Sequence, residues 1–138
     1  KENAVAWAVG IADVKEIDEI NILQASILAM HRAVRQLSTI PSYLAIDGNK
    51  FNPYPKIKHN CIIKGDGKYM NIAAASVLAK THRDEIMRIL SADFPTYNWR
   101  KNKGYPTKEH RLALLKEGKC LHHRTSFQLI PKQINLNL

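Results

Sequence analysis

Apolar positions recur at every second residue from Asn3 to Ile11, with Val5, Trp7, Val9 and Ile11 on one face and Ala4, Ala6, Ala8 and Gly10 on the other. Period two with β-branched residues and a tryptophan predicts a strand, and the small second face predicts close packing against it. Asp13 can cap a short helical turn through Ile17, and the period then changes. Ile20, Leu23, Ile27, Met30, Val34 and Leu37 alternate spacings of three and four, one apolar stripe that predicts a helix lying on a sheet. Ser38-Thr39-Ile40-Pro41-Ser42 ends that helix. Two short apolar runs follow, Tyr43-Leu44-Ala45-Ile46 and Cys61-Ile62-Ile63, each predicted as a strand closing on an Asp, with the Pro53 and Pro55 loop from Lys50 to Lys58 between them. From Met70 to Lys80 small and apolar residues face every direction, which predicts a helix buried at its start. Ile86, Ile89, Leu90 and Phe94 continue its buried side until Pro95 stops it. Thr107 can cap a last helix through Lys116, and Gly118 can end it. Strand, helices, strand, strand, helices is an α/β order, read here with one hairpin inside it and as a single domain over residues 1–138.

Composition narrows the class. An apolar fraction of 45% with 24% charged residues is that of a globular protein with a core. Twenty-one Lys and Arg against twelve Asp and Glu give +9, a balance that favours a polyanionic partner, nucleic acid or an anionic membrane surface. No apolar run approaches the roughly 20 residues of a bilayer span, and nothing resembles a signal peptide. Cys61 and Cys120 have no C-x-x-C spacing, which fits a reducing, cytoplasmic setting. Lys1-Glu2-Asn3 leads at once into the first predicted strand without an initiator Met, so the chain is expected to be a piece of a longer one.

Candidate chemistry lies at the ends of the two apolar runs. Ile46-Asp47-Gly48-Asn49 and Lys64-Gly65-Asp66-Gly67 each close a strand on an Asp beside glycine. An Asp at the carboxyl end of a buried strand faces the crevice where open α/β sheets do their chemistry, and two such carboxylates on neighbouring strands suit a divalent metal. The competing reading is that each Asp shapes a turn, since Asp-Gly is a common turn pair. The basic helical part from about residue 98 to 138 carries Arg100, Lys101, Lys103, Lys108, Arg111, Lys116, Lys119 and Arg124, with Tyr97, Trp99 and Tyr105 interleaved. That mixture suits phosphate neutralisation and stacking on a sugar or base, and it equally suits a solvated face. His122-His123 lacks the cysteine or carboxylate spacing of a zinc site, and His31 and His82 are read as helix-surface residues.

Four stretches together resemble ribonuclease HII, the bacterial type 2 ribonuclease H: Glu16-Ile17-Asp18-Glu19-Ile20-Asn21-Ile22-Leu23; Ile46-Asp47-Gly48-Asn49; Lys64-Gly65-Asp66 with Ala73-Ala74-Ala75-Ser76-Val77-Leu78-Ala79-Lys80; and Asn102-Lys103-Gly104-Tyr105-Pro106-Thr107. His122-His123-Arg124-Thr125-Ser126-Phe127 resembles a fifth, and the set spans about residues 3 to 127. The resemblance implies a ribonuclease H-like mixed sheet flanked by helices. It also implies Mg²⁺- or Mn²⁺-dependent hydrolysis of RNA in RNA–DNA hybrids and of single ribonucleotides embedded in duplex DNA, by a two-metal mechanism and as a monomer when complete.

By motif, Asp47 and Asp66 match the third and fourth of the family's four metal-binding carboxylates. Tyr105 matches the tyrosine that stacks on the sugar beside the scissile ribonucleotide, and Asn49, Lys80, Arg83 and Arg124 are candidates for substrate contact. The family's Gly-x-Asp-Glu-x-Gly-Arg-Gly stretch, which carries the first two carboxylates on its first strand, has no counterpart here. Gly10-Ile11-Ala12-Asp13 is similar to it only superficially and is read as structural. The expectation is therefore a sheet without the family's first two strands, an unpartnered strand at Val5-Trp7-Val9, and little or no cleavage by these 138 residues alone. The rival class is a non-catalytic basic nucleic-acid-binding module in which the two Asp only form turns.

Overall fold

The computed structural model describes residues 1–127. Its elements are helix α1 (Val14–Gln36), strands β1 (Tyr43–Asp47) and β2 (Lys58–Ile62), helix α2 (Met70–Asp93), a short α3 (Trp99–Asn102) and α4 (Lys108–Glu117). Single turns of 3-10 helix lie at Gly65–Gly67 and Pro95–Tyr97. The chain falls into two compact units, Lys1–His82 and Arg83 onward. No helix among the described residues is long and apolar enough to cross a membrane. The architecture is α/β, as the order of elements predicts, with helices around a small parallel sheet.

In the first unit the core is built from Ala25 and Ile27 of α1, Leu44 and Ile46 of β1, and Ile72 of α2. Alternation along β1 sends Leu44 and Ile46 inward and leaves Tyr43 and Asp47 exposed. β1 and β2 pair in parallel, Tyr43 opposite Lys58 and Asp47 opposite Ile62, so the expected hairpin is wrong. Tight hairpins use loops of roughly two to five residues, whereas residues 48–57 intervene here. At about 3.3 Å per residue, that stretch easily retraces a strand of roughly 17 Å and enters β2 from the opposite end.

Residues 3–11 are not a strand either, since no partner for a ladder exists among the described residues. The small second face does pack closely. An ideal Cβ on Gly10 would lie 1.9 Å from the Ala29 carbonyl oxygen and 2.7 Å from the Ala33 nitrogen. Arg32 fastens the same segment by donating to the Ile11 carbonyl at 2.7 Å and to both carboxylate oxygens of Glu16. Those bonds, together with one from the Asp13 amide, hold the Glu16 carboxyl down at about 2. Asp13 and Glu16 also form a reciprocal capping box at the start of α1, so Asp13 has a structural role.

The short turn through Ile17 and the helix expected from Ile20 join in α1, which is interrupted at Asn21. Its backbone (φ 68°, ψ 165°) interrupts the helix, and its side-chain oxygen caps the second segment by accepting from Leu23 N at 3.0 Å and Gln24 N at 3.2 Å. Of the apolar stripe, Ile27 is buried and Leu23 is exposed. The start of α2 also departs from expectation: Ile72 is buried, but Ala74, Ala75, Ser76 and Val77 are exposed. Farther along, Ile86 and Leu90 are partly buried and Ile89 is exposed. His31 is more than a surface residue. Its Nε2 lies 2.9 Å from the Asn52 carbonyl, and its ring packs against Phe51 and Tyr54, tying α1 to the 48–57 connection.

In the second unit Tyr97, Trp99 and Leu114 form the core, with Met87, Leu90, Phe94, Ala113 and Cys120 packed around them. Thr107 caps α4 by accepting from His110 N, and Gly118 ends it at φ 77°, as their residue types predict. The part of the basic segment beyond residue 127 lies outside the described residues.

The Gly10 contact yields a test. Gly10→Ala forces backbone apart and should cost about 3 kcal/mol in urea unfolding, whereas Gly67→Ala, with nothing within 4 Å of the added methyl, should change stability by less than about 0.5 kcal/mol.

Candidate functional site

Parallel pairing carries both strand ends to the same edge. Gly48, at φ 103°, turns the chain out of β1 while its N–H still reaches the Ile62 carbonyl at 3.0 Å. Beyond β2, Lys64 takes a left-handed conformation (φ 55°) and starts the Gly65–Gly67 turn. Gly65 N–H donates to Asp47 Oδ1 at 2.8 Å. A Cβ at Gly65 would lie 2.8 Å from Ile72 Cδ1, the far end of a side chain, and 3.4 Å from that same carboxylate oxygen, an ordinary contact, so the turn packs closely here. Asp66 follows at once, its Oδ1 accepting from Gly67 N at 2.9 Å. One bond thus ties the Asp47 side chain to the residue before Asp66.

Both carboxylates are exposed, and neither forms an ion pair among the described residues. Each engages one oxygen with a turn amide and keeps the other for solvent or a cation. Shaping a turn and offering a metal ligand are therefore compatible here. Two exposed carboxylate oxygens suit a hard divalent ion that retains several waters. Among the described residues no group of three His, Cys, Asp or Glu is placed to hold a metal, so the pair amounts to part of a donor set.

Asn49 lies just past the turn and Lys80 on α2, both exposed. In the second unit Tyr105 is 62% exposed, and the Arg83 guanidinium stands 5.3 Å from its ring centroid. Gly104 has φ 78°, and a Cβ there would lie 3.2 Å from Met87 Cε and 3.6 Å from an Arg83 guanidinium nitrogen, so glycine suits the position on both counts. Arg124 is half-buried, with its guanidinium over the Phe127 ring at 5.2 Å. Tyr97 and Trp99 are not available for stacking on a ligand. They stack on each other at 5.1 Å inside the core, and the Tyr97 hydroxyl donates to the Gly118 carbonyl. Of the basic residues, Lys101 pairs with Glu109 and Lys116 with Glu117, while Lys119 donates to the carbonyls of Arg124, Thr125 and Phe127.

A buried imidazole pair was not foreseen. His110 of α4 and His123 are both buried, with their Nε2 atoms 3.1 Å apart. The available sign was His110's place one helical turn before Leu114, on the face that α4 buries.

The model of the ribonuclease HII family matches residues 1–130. The ribonuclease HII of Christiangramia forsetii is 58% identical over 137 residues, covering 99% of this chain and 69% of that protein. Its counterpart in Bacteroides thetaiotaomicron is 59% identical with the same coverage, and that of Chlorobaculum tepidum is 50% identical over 129 residues, 94% of this chain and 63% of that protein. The chain belongs to the ribonuclease HII family. The stretches around Asp47, Asp66 and Tyr105 all fall within the span that the family model matches.

Burial, then the neighbouring His110, hold His123 down at about 4, with Lys119 and His122 acting in the same direction. The unfolded chain then binds this proton between about pH 4 and 6.5 while the folded chain does not. The neutral imidazole's stabilisation is complete above about pH 6.5 and falls as the pH drops through that window. The cost of His123→Gln, measured by urea unfolding, should therefore shrink from pH 7.5 to pH 4.5 by on the order of 2 kcal/mol; a cost independent of pH would contradict a neutral buried imidazole.

Proposed function

We propose that this chain is the part of an endoribonuclease that supplies Asp47 and Asp66 as metal ligands for hydrolysing the RNA strand of RNA–DNA hybrids and single ribonucleotides embedded in duplex DNA. The observation that carries the reading is the parallel edge, where the Gly65 amide ties the Asp47 carboxylate to the residue beside a second exposed carboxylate. Bound Mg²⁺ or Mn²⁺ would supply an activated water and stabilise charge on the leaving oxygen. Asp47 and Asp66 would hold the ions through the oxygens not engaged by turn amides. Tyr105 would stack on the sugar beside the scissile bond, with the exposed Arg83, the half-buried Arg124, Asn49 and Lys80 contacting the duplex.

Two carboxylates are half of the set that the family resemblance implies. We therefore propose little or no cleavage by these 138 residues alone, and restoration by a peptide carrying the family's Gly-x-Asp-Glu-x-Gly-Arg-Gly stretch. Metal-independent binding of the duplex with no cleavage in that mixture would favour a purely binding module.

Mn²⁺ added to the isotopically labelled chain should broaden amide resonances around Asp47 and Asp66 selectively. Asp47→Asn and Asp66→Asn should each abolish that broadening, and with it any cleavage in the peptide-supplemented chain, while hybrid binding changes less than about threefold. Broadening unaffected by both substitutions would refute the ligand assignment. Tyr105→Ala should weaken binding of a ribonucleotide-containing duplex about tenfold, the scale of one lost stacking contact, measured by fluorescence anisotropy at fixed salt.

A further inference from the structure

The hydrogen bonds around the buried imidazole pair admit one arrangement of protons. Cys120 N–H approaches His123 Nδ1 at 3.1 Å, and Cys120 Sγ lies 3.2 Å from the same nitrogen, so Nδ1 is an acceptor and carries no proton. Neutral His123 is then protonated at Nε2 and donates to His110 Nε2. Trp99 Nε1–H also points at His110 Nε2, at 3.4 Å, and independently requires an acceptor there. His110 must therefore carry its proton on Nδ1, which lies 3.1 Å from the Tyr105 carbonyl oxygen. Two donors, at 3.1 and 3.4 Å, thus share the one lone pair of His110 Nε2 and select the tautomer that delivers an N–H to Tyr105.

That carbonyl also accepts from Thr107 N–H at 2.8 Å, and the Tyr105 N–H donates to the Asn102 carbonyl at 2.8 Å. Asn102 is buried and braced in turn, its Nδ2 donating to the Tyr97 carbonyl at 2.7 Å and its Oδ1 accepting from Gly104 N at 2.8 Å. The backbone of Tyr105 is held at both ends from inside the core while its ring stands exposed beside Arg83.

We propose that His110 is a positioning residue for Tyr105: its Nδ1–H, set in that tautomer by Trp99 and His123, clamps the Tyr105 carbonyl and so determines where the exposed ring stands for nucleic acid. The last clause rests on the reading of Tyr105 given above, but the clamp itself can be tested without nucleic acid. Long-range proton–nitrogen spectra of the histidine rings should show His110 protonated at Nδ1 and His123 at Nε2; the reverse tautomer at His110 overturns the proposal.

The chain has five tyrosines, so incorporation of 3-fluorotyrosine gives a countable fluorine spectrum in which Tyr105→Phe assigns the relevant line. His110→Ala should move that line toward the position of the free amino acid, and His110→Asn, whose amide can donate from the Nδ1 position, should restore it. An unmoved line in folded His110→Ala overturns the clamp. If the alanine variant does not fold, His110→Asn and His110→Gln decide the matter. Asn should keep the native line and Gln, whose amide sits at the Nε2 position, should shift it; identical lines for the two overturn the proposal.

Duplex binding tests the consequence. His110→Ala should weaken binding of a ribonucleotide-containing duplex about tenfold, and the His110→Ala/Tyr105→Ala double variant should bind no more weakly than Tyr105→Ala alone. Additive losses would mean that His110 acts elsewhere and would overturn its link to Tyr105. Should Tyr105→Ala leave binding unchanged, the substrate role of Tyr105 falls, while the clamp stands or falls on the fluorine line.

Discussion

The candidate site depends on the direction in which β2 runs beside β1. In an antiparallel pair the carboxyl end of one strand lies beside the amino end of the other, so carboxylates that each follow a strand would sit a strand length apart, roughly 17 Å. The parallel register places the ends of β1 and β2 together, and the 2.8 Å bond from Gly65 N–H to Asp47 makes use of it. A hairpin and a shared carboxylate edge are therefore mutually exclusive for these two strands. The connection over residues 48–57 determines which arises, because it is long enough to return to the start of the sheet and is anchored to α1 through His31 and Asn52.

The site end of the sheet illustrates how a turn can present charge. An unpartnered carboxylate beside a second one is disfavoured by repulsion. Each Asp is offset by one backbone N–H: that of Gly65 for Asp47, and that of Gly67 for Asp66. Only one oxygen is used in each case, which leaves a hard, exposed donor on either residue. Gly65 supplies the amide that reaches Asp47, and a side chain there would have to displace the Ile72 terminal methyl.

Signals that are local in the chain were legible in its sequence. Asp13, Thr107 and Gly118 cap or end helices because their side chains, or the lack of one, satisfy nearby backbone groups whatever the tertiary context. The small face of residues 4–10 likewise announced a close approach, realised at Gly10. What depends on partners was not legible. The alternation from Val5 to Ile11 is strand-like, but a strand exists only where a ladder exists. The helical pattern of Ala74 to Val77 is small or apolar all round, yet burial needs something to cover it. Tyr97, Trp99 and Tyr105 look alike as aromatics among cations. The 3-10 turn at Pro95–Tyr97 and the one-turn α3 break any period by which the two core rings could have been told from the exposed one.

The imidazole pair gives the basic segment a feature that its charge alone does not convey. A protonated His123 would be desolvated in this core and would also face the donor Cys120 N–H, so the interior selects its neutral ring. Neutral imidazole has one donor and one acceptor, which makes its orientation directional in a way that a lysine or a leucine at the same place could not be. In both units a helix uses a histidine to reach the carbonyl of a neighbouring loop: His31 on α1 to Asn52, and His110 on α4 to Tyr105. Loops that must keep exposed side chains cannot be held by burying them. They can be held by their backbone, and a buried imidazole with a fixed tautomer does that without adding charge to the core.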